Sequence, residues 1–152
     1  MEGGKNKNGQ AGLIRLKEAH FLSYNGGHLT SMDILTFYHY PKCATCAKAK
    51  KALRLKGYIL KEVDVTTTPP SQAILARLIQ KSGLRYTDFL NRSGAVYREQ
   101  KMREKVDKLS EREVVAMLAQ NGRLIKRPLV TDGEKVTVGF NAAEFAKIWA
   151  GP

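Results

Sequence analysis

At 152 residues the chain is sized for one domain with its own core. Its ordinary apolar share excludes a fibre or a wholly disordered chain, and no stretch approaches the ~20 apolar residues of a membrane-spanning helix. A net charge of +12, from 26 Lys and Arg against 14 Asp and Glu, is spread along the chain without a zinc-finger or RNP-like pattern, so an anionic substrate or an acidic protein partner is expected rather than direct nucleic-acid binding.

Residues 1–31 stand apart. The first ten are polar and glycine-rich, with nothing to pack. Leu13 to Leu22 can form a loose apolar-basic helix, ended by Asn25-Gly26-Gly27. The basic-then-apolar layout of a secretory signal is missing, since Arg15 and Lys17 interrupt the apolar run, and a cytoplasmic location is expected. A second methionine, Met32, directly precedes the first strand pattern. The working domain is therefore expected over residues 32–152, with 1–31 a tail or an unused upstream start. The leader's four cations and two carboxylates contribute only +2, so the body stays strongly basic.

From Met32 onward, strand and helix signals alternate. Ile34 to Tyr38 is β-rich and is stopped by Pro41. Ala44 to Lys56 reads as a helix with Cys46, Ala49, Ala52 and Leu53 on one side, and Lys48, Lys50, Lys51 and Arg54 on the other; Gly57 ends it. Tyr58 to Val65 returns to strand character. Pro69-Pro70-Ser71 opens a helix that buries Ile74, Leu75, Leu78 and Ile79 and closes at Gly83. Tyr86 to Lys108 is charged and less regular, consistent with short helices around Ser93-Gly94. Ser110 and Glu113 form a capping box for a helix facing inward through Val114, Met117 and Leu118 and ending at Asn121-Gly122. Leu129–Thr131 and Val136–Val138 are short strands around Asp132-Gly133, a strong hairpin dipeptide. Asn141 caps a last helix that leads into Phe145, Ile148 and Trp149. The order β-α-β-α, helical insert, β-β-α predicts an α/β fold: a thioredoxin-like mixed four-stranded sheet flanked by helices, with a helical insertion between its βαβ and ββα parts.

The two cysteines of the chain, Cys43 and Cys46, lie three apart, directly after a strand and at a helix start. Free N–H groups and the helix dipole favour an anion there, and Lys42 adds a neighbouring positive charge. A thiolate at Cys43 would gain from all three, which makes Cys43 the attacking thiol and Cys46, one turn on, the resolving one. Three duller readings compete. A zinc site would need His20, His28 or His39 to join the cysteines, and two of those histidines lie in the leader. A structural disulfide would close a very small loop in a reducing compartment. Two unrelated core-packed cysteines are also compatible with the composition. The strand–C-x-x-C–helix context favours redox chemistry, and no cofactor is expected.

With these elements in place, the sequence resembles the arsenate reductase (ArsC) and Spx family of thioredoxin-like proteins. The likeness runs over Ile34 to Trp149 and is carried by three blocks: Phe37 to Lys50 around the cysteines, Phe89-Leu90-Asn91-Arg92-Ser93-Gly94, and Leu124 to Leu129 followed by Val138-Gly139-Phe140. The resemblance implies that Cys43 is the catalytic cysteine, that Arg92 and Arg127 hold an oxyanion beside it, and that Pro128 is a cis proline facing it. Guanidinium forks suit a tetrahedral oxyanion, although each arginine taken alone reads as a solvated charge. Two departures stand out. The glutathione-linked reductases carry a third arginine just after the last strand, where this chain has Val138-Gly139-Phe140, and they usually manage with one active-site cysteine.

Two functions follow from the resemblance. One is a thiol–disulfide oxidoreductase acting on an oxyanion such as arsenate or on a disulfide, recycled by glutathione, glutaredoxin or thioredoxin. The alternative is an Spx-type redox-sensing regulator that meets the C-terminal domain of the RNA polymerase α subunit. Gly83 then falls near the glycine used for that contact, while its simpler role is a helix stop.

Overall fold

In the computed structural model, which describes residues 33–152, the chain follows the predicted order. Strand β1 (Ile34–His39) leads into helix α1 (Ala44–Leu55), strand β2 (Ile59–Asp64) and helix α2 (Gln72–Ser82). The insertion contains two short helices, α3 (Ala95–Glu99) and α4 (Met102–Lys105), among 3₁₀ turns. It is followed by α5 (Glu111–Gln120), the hairpin β3 (Leu129–Thr131) and β4 (Val136–Val138), and α6 (Ala142–Ile148). The leader, its loose helix, His20 and His28 lie outside the described residues. No helix among the described residues is long and apolar enough to cross a membrane.

The sheet order is β2-β1-β3-β4. β1 pairs in parallel with β2 and antiparallel with β3, which puts the strand bearing the cysteine turn at the centre of the sheet. Alternation along β1 divides the core. Leu35 and Phe37 pack with Cys46, Ala49, Leu53, Phe145 and Trp149 on the α1–α6 face, while Tyr38 joins Leu75, Leu78, Phe89, Met102 and Leu118 on the face covered by α2, α5 and the insertion.

The caps agree with the sequence signals. The Ser71 hydroxyl accepts from the Ile74 amide, Ser110 and Glu113 form the reciprocal capping box, and the Asn141 side chain caps α6. Gly83 ends α2 in the left-handed region at φ 67°. Two inward assignments are corrected. Ile74 is 42 % exposed, because the buried stripe of α2 runs through Leu75, Leu78 and Ile79 and leaves Ile74 at its edge. In α6, Phe145 and Trp149, four apart, take the inward direction and Ile148 is left exposed. In α5, Val115 is buried and Met117 only half-buried, a rotation of the same kind.

Candidate functional site

Pro41 and Lys42 turn the chain out of β1, and the Cys43 amide donates to the Tyr40 carbonyl at 3.0 Å. Cys43 is the N-cap of α1: its backbone is extended, and its sulfur accepts from the Cys46 amide at 3.3 Å. A sulfur in that position faces the free N–H groups and the positive end of a twelve-residue helix. Both cysteines are free thiols; Cys43 is half-buried and Cys46 is 1 % exposed. The Cys46 thiol is pushed up to about 12, first by burial and then by its hydrogen bond to Cys43, with the charge of Arg127 acting in the opposite direction. The two sulfurs are thus distinct: one is accessible at a helix end, the other protonated and enclosed.

Cys43 borders a cleft of about 700 Å³ whose walls include Thr45, Asn91, Arg92, Lys126, Arg127 and Phe140. Backbone pairing assembles this wall from distant parts of the chain. Leu90 and Ile125 form an isolated antiparallel bridge, the Asn91 amide donates to the Leu124 carbonyl at 2.7 Å, and the Lys126 amide donates to the Phe89 carbonyl at 2.7 Å. This pairing joins the Phe89–Asn91 and Leu124–Lys126 segments, and Arg92, Lys126 and Arg127, which flank them, line the same cleft. Gly94 permits the turn after Arg92, since a Cβ there would come within 2.6 Å of the Asn91 side-chain nitrogen. Arg127 lies with its guanidinium 5.2 Å from the centre of the Tyr40 ring, and its bond to Pro128 is cis. Neither Arg92 nor Arg127 forms an ion pair with a carboxylate among the described residues. Lys42 is exposed on the turn and does not line this cleft.

A second cleft, of about 410 Å³, also borders Cys43 and includes His39, Tyr40, Cys46, Lys50 and Arg54. Glu62 of β2 organises its far wall, accepting from Lys50 at 2.6 Å and Arg54 at 2.7 Å, with the His39 Nε2 at 3.4 Å. Burial and then the Lys50 charge hold His39 below its ordinary value, against the pull of Glu62 and Asp64. Glu62 is opposed by burial but is held below the usual carboxylate range by Lys50, His39 and Arg54. Asp64 is lowered chiefly by its hydrogen bond from Thr66. These directions fix a pH profile. The His39 contribution is complete above the ordinary imidazole value of 6.5 and is lost as the pH falls toward the lower folded value. The Glu62 and Asp64 contributions are complete above 4.5 and 3.8 and are lost on further acidification. Urea midpoints from pH 7.5 to 2.5 are expected to fall in two steps, and His39→Gln is expected to remove the first. A mutant profile parallel to wild type would contradict the assignment.

No group of three or more His, Cys, Asp or Glu side chains among the described residues is placed to hold a metal ion. Sequence reasoning missed Lys126 and Tyr40 as neighbours of the cysteines, and placed His39 with them only in the zinc reading. Lys126 stood next to Arg127 in a recognised block, whereas the contribution of Tyr40, as carbonyl acceptor and ring, depends on backbone conformation.

The family model for ArsC, the ArsC family, matches residues 38–148, which span both cysteines, Arg92 and Arg127. The chain belongs to the ArsC family. It is 52 % identical over 116 residues to YusI, an uncharacterized protein of Bacillus subtilis, covering 76 % of this chain and 98 % of YusI. It is 27 % identical over 111 residues to the global transcriptional regulator Spx of Streptococcus mutans, covering 73 % of this chain and 80 % of Spx. Its fold is similar to a crystal structure from Streptococcus mutans described as that of a possible arsenate reductase, with a TM-score of 0.67 and 37 % identity over 71 % of this chain and 92 % of the other. The mixed four-stranded sheet with flanking helices is thus the thioredoxin-like architecture of this ArsC family.

Proposed function

We propose that this ArsC-family chain is a thiol–disulfide oxidoreductase of the arsenate reductase type, with Cys43 attacking, Cys46 resolving, and Arg92 and Arg127 holding the oxyanion. The observation that carries the reading is the cleft in which half-exposed Cys43 at a helix N-terminus shares walls with two arginines that have no carboxylate partner among the described residues. Two guanidinium groups there would attract a tetrahedral dianion and offset the charge developing on it during attack. With arsenate, the Cys43 thiolate displaces an arsenic-bound hydroxyl, which leaves as water after taking up a proton. Cys46, having lost its own proton, then attacks the Cys43 sulfur. The S–As bond breaks with its electron pair going to arsenic, so As(V) leaves as As(III) arsenite and the two thiols become a disulfide. Glutathione, glutaredoxin or thioredoxin would restore the thiols by exchange. A disulfide substrate would enter through the same attack of Cys43 on sulfur.

The likeness to Spx supports a second reading, a redox-sensing regulator with the cysteine pair as its sensor and the polymerase α subunit as its partner. The exposed Gly83 at the end of α2, with open space around its α-carbon, would be available for such a contact. One paired experiment separates the two: arsenate- and disulfide-dependent turnover by wild type and Cys43→Ser, alongside capture of purified α subunit. Turnover abolished by Cys43→Ser is the expected result. Absence of turnover together with firm capture of the α subunit would overturn the enzyme reading.

A further inference from the structure

Lys126 precedes the Arg127–Pro128 pair; it is exposed to solvent, and its side chain passes over Gly139 on the wall of the cleft. The space in which a side chain at Gly139 would begin is already occupied: a Cβ there would lie 2.9 Å from the Lys126 Cε and 3.5 Å from its Nζ. Gly139 is buried, adopts φ 78°, and donates its amide to the Pro128 carbonyl at 2.8 Å, which fixes the end of β4 against the Lys126–Pro128 segment. The lysine is anchored at its own amide by the Phe89 carbonyl. Its ammonium therefore comes to rest above a glycine, on the wall of the cleft that also contains Cys43, Arg92 and Arg127.

That ammonium has no hydrogen-bond or ion-pair partner among the described residues. The nearest carboxylate on the cleft wall, Asp88, is engaged by the Arg85 amide at 3.1 Å and its guanidinium at 3.3 Å. Lys50, Lys56, Lys81 and Lys135, by contrast, each have a carboxylate or carbonyl acceptor. The ammonium shares the cleft with two guanidinium groups that have no carboxylate partner among the described residues, so an entering anion would relieve the repulsion among three like charges.

We propose that the Lys126 ammonium is the third cation of the oxyanion site, seated over Gly139, and that together with Arg92 and Arg127 it selects a tetrahedral oxyanion carrying two negative charges. This rests on the oxyanion reading of the cleft given above. Three positive charges against the single engaged Asp88 suit a dianion better than a monoanion. Any side chain at Gly139 would displace the lysine and would also have to adopt a left-handed backbone.

The test is protection of Cys43 from iodoacetamide, followed by mass spectrometry of the Cys43 peptide, with sodium arsenate and sodium sulfate titrated at constant ionic strength. Wild type is expected to be protected by both, with nitrate far weaker. Lys126→Gln is expected to raise the half-protecting concentration roughly tenfold, as loss of one charge-assisted hydrogen bond does. Lys126→Arg is expected to restore it to within about threefold. Arg123→Gln, three residues away and outside the cleft, serves as the charge control and is expected to leave it unchanged. Protection in Lys126→Gln equal to wild type, or an equal loss in Arg123→Gln, overturns the role of Lys126 while leaving the arginine site intact. No protection of wild type by either dianion overturns the oxyanion reading itself, and this inference with it.

Discussion

Replacing Trp149 by alanine is expected to remove about 3–5 kcal/mol of folding stability, a large share of the ~5–15 kcal/mol available to a domain of this size. The residue is fully buried although it follows the last turn of a seven-residue helix near the end of the chain. Its ring meets Tyr58 edge-on with centroids 6.0 Å apart, and its indole N–H donates to the buried Thr137 hydroxyl at 3.0 Å. One side chain thus links α6, strand β4 and the turn after α1. Tyr58 strengthens the link, since its hydroxyl accepts from the Gly151 amide at 3.2 Å. Truncation would leave a cavity lined by Leu35, Leu53 and Phe145 and a Thr137 hydroxyl without its donor. Trp149→Phe keeps most of the volume and loses the hydrogen bond, so about 1–2 kcal/mol is expected. Urea unfolding followed by far-UV circular dichroism measures both, because Trp149 is the one tryptophan of the chain. A loss below about 1 kcal/mol for the alanine variant would mean that α6 is held by other contacts.

The alternation of β-rich runs with 3.6-period helices was readable from Ile34 onward because period and punctuation agreed: Pro41, Gly57, Ser71, Gly83, Ser110 and Asp132-Gly133 each stand at an observed boundary. The inward stripes were less legible. Ile74 and Leu75 are both apolar, and only the direction from which the sheet approaches α2 decides that Leu75 goes in. The site was legible at the cysteines because strand, C-x-x-C and helix are local in sequence. The wall facing them was not. The Leu90–Ile125 bridge, whose partners lie 35 positions apart, joins the segments that carry Arg92 and Arg127 into one cleft wall, and no periodicity in either segment encodes that pairing; the arginines came from a family likeness. Lys126 was missed because nothing in the residue type separates it from the other basic residues of so cationic a chain. Its role follows from the backbone of Gly139, which is a property of the folded hairpin.

Under native conditions at pH 8, iodoacetamide is expected to modify Cys43 alone, and Cys46 only after denaturation. A thiol held near 12 has on the order of 10⁻⁴ of its population as thiolate four pH units lower, and Cys46 is also closed to reagent at 1 % exposure. The same numbers set a problem for Cys46 as the resolving thiol, because attack needs its thiolate. The causes of the shift suggest how this is met. Burial is the largest, but the next is the hydrogen bond to the Cys43 sulfur, and the charge of Cys43 acts in the same direction. Once Cys43 is bound to arsenic or to another sulfur it is no longer an anion, so both of these causes weaken, while the Arg127 charge continues to favour the Cys46 thiolate. Formation of the intermediate would itself prime the second thiol. Cys46→Ser is therefore expected to form a mixed disulfide with a small aromatic disulfide about as fast as wild type and then to retain it, with clearance slowed by ~100-fold or more. Arg127→Gln, with Cys46 present, is expected to slow clearance by a smaller factor, roughly 3–10-fold, as one neighbouring charge is removed. Stopped-flow release of the chromophoric thiol reports both phases. Equal clearance in wild type and Cys46→Ser would remove Cys46 from the second step and leave resolution to an external thiol.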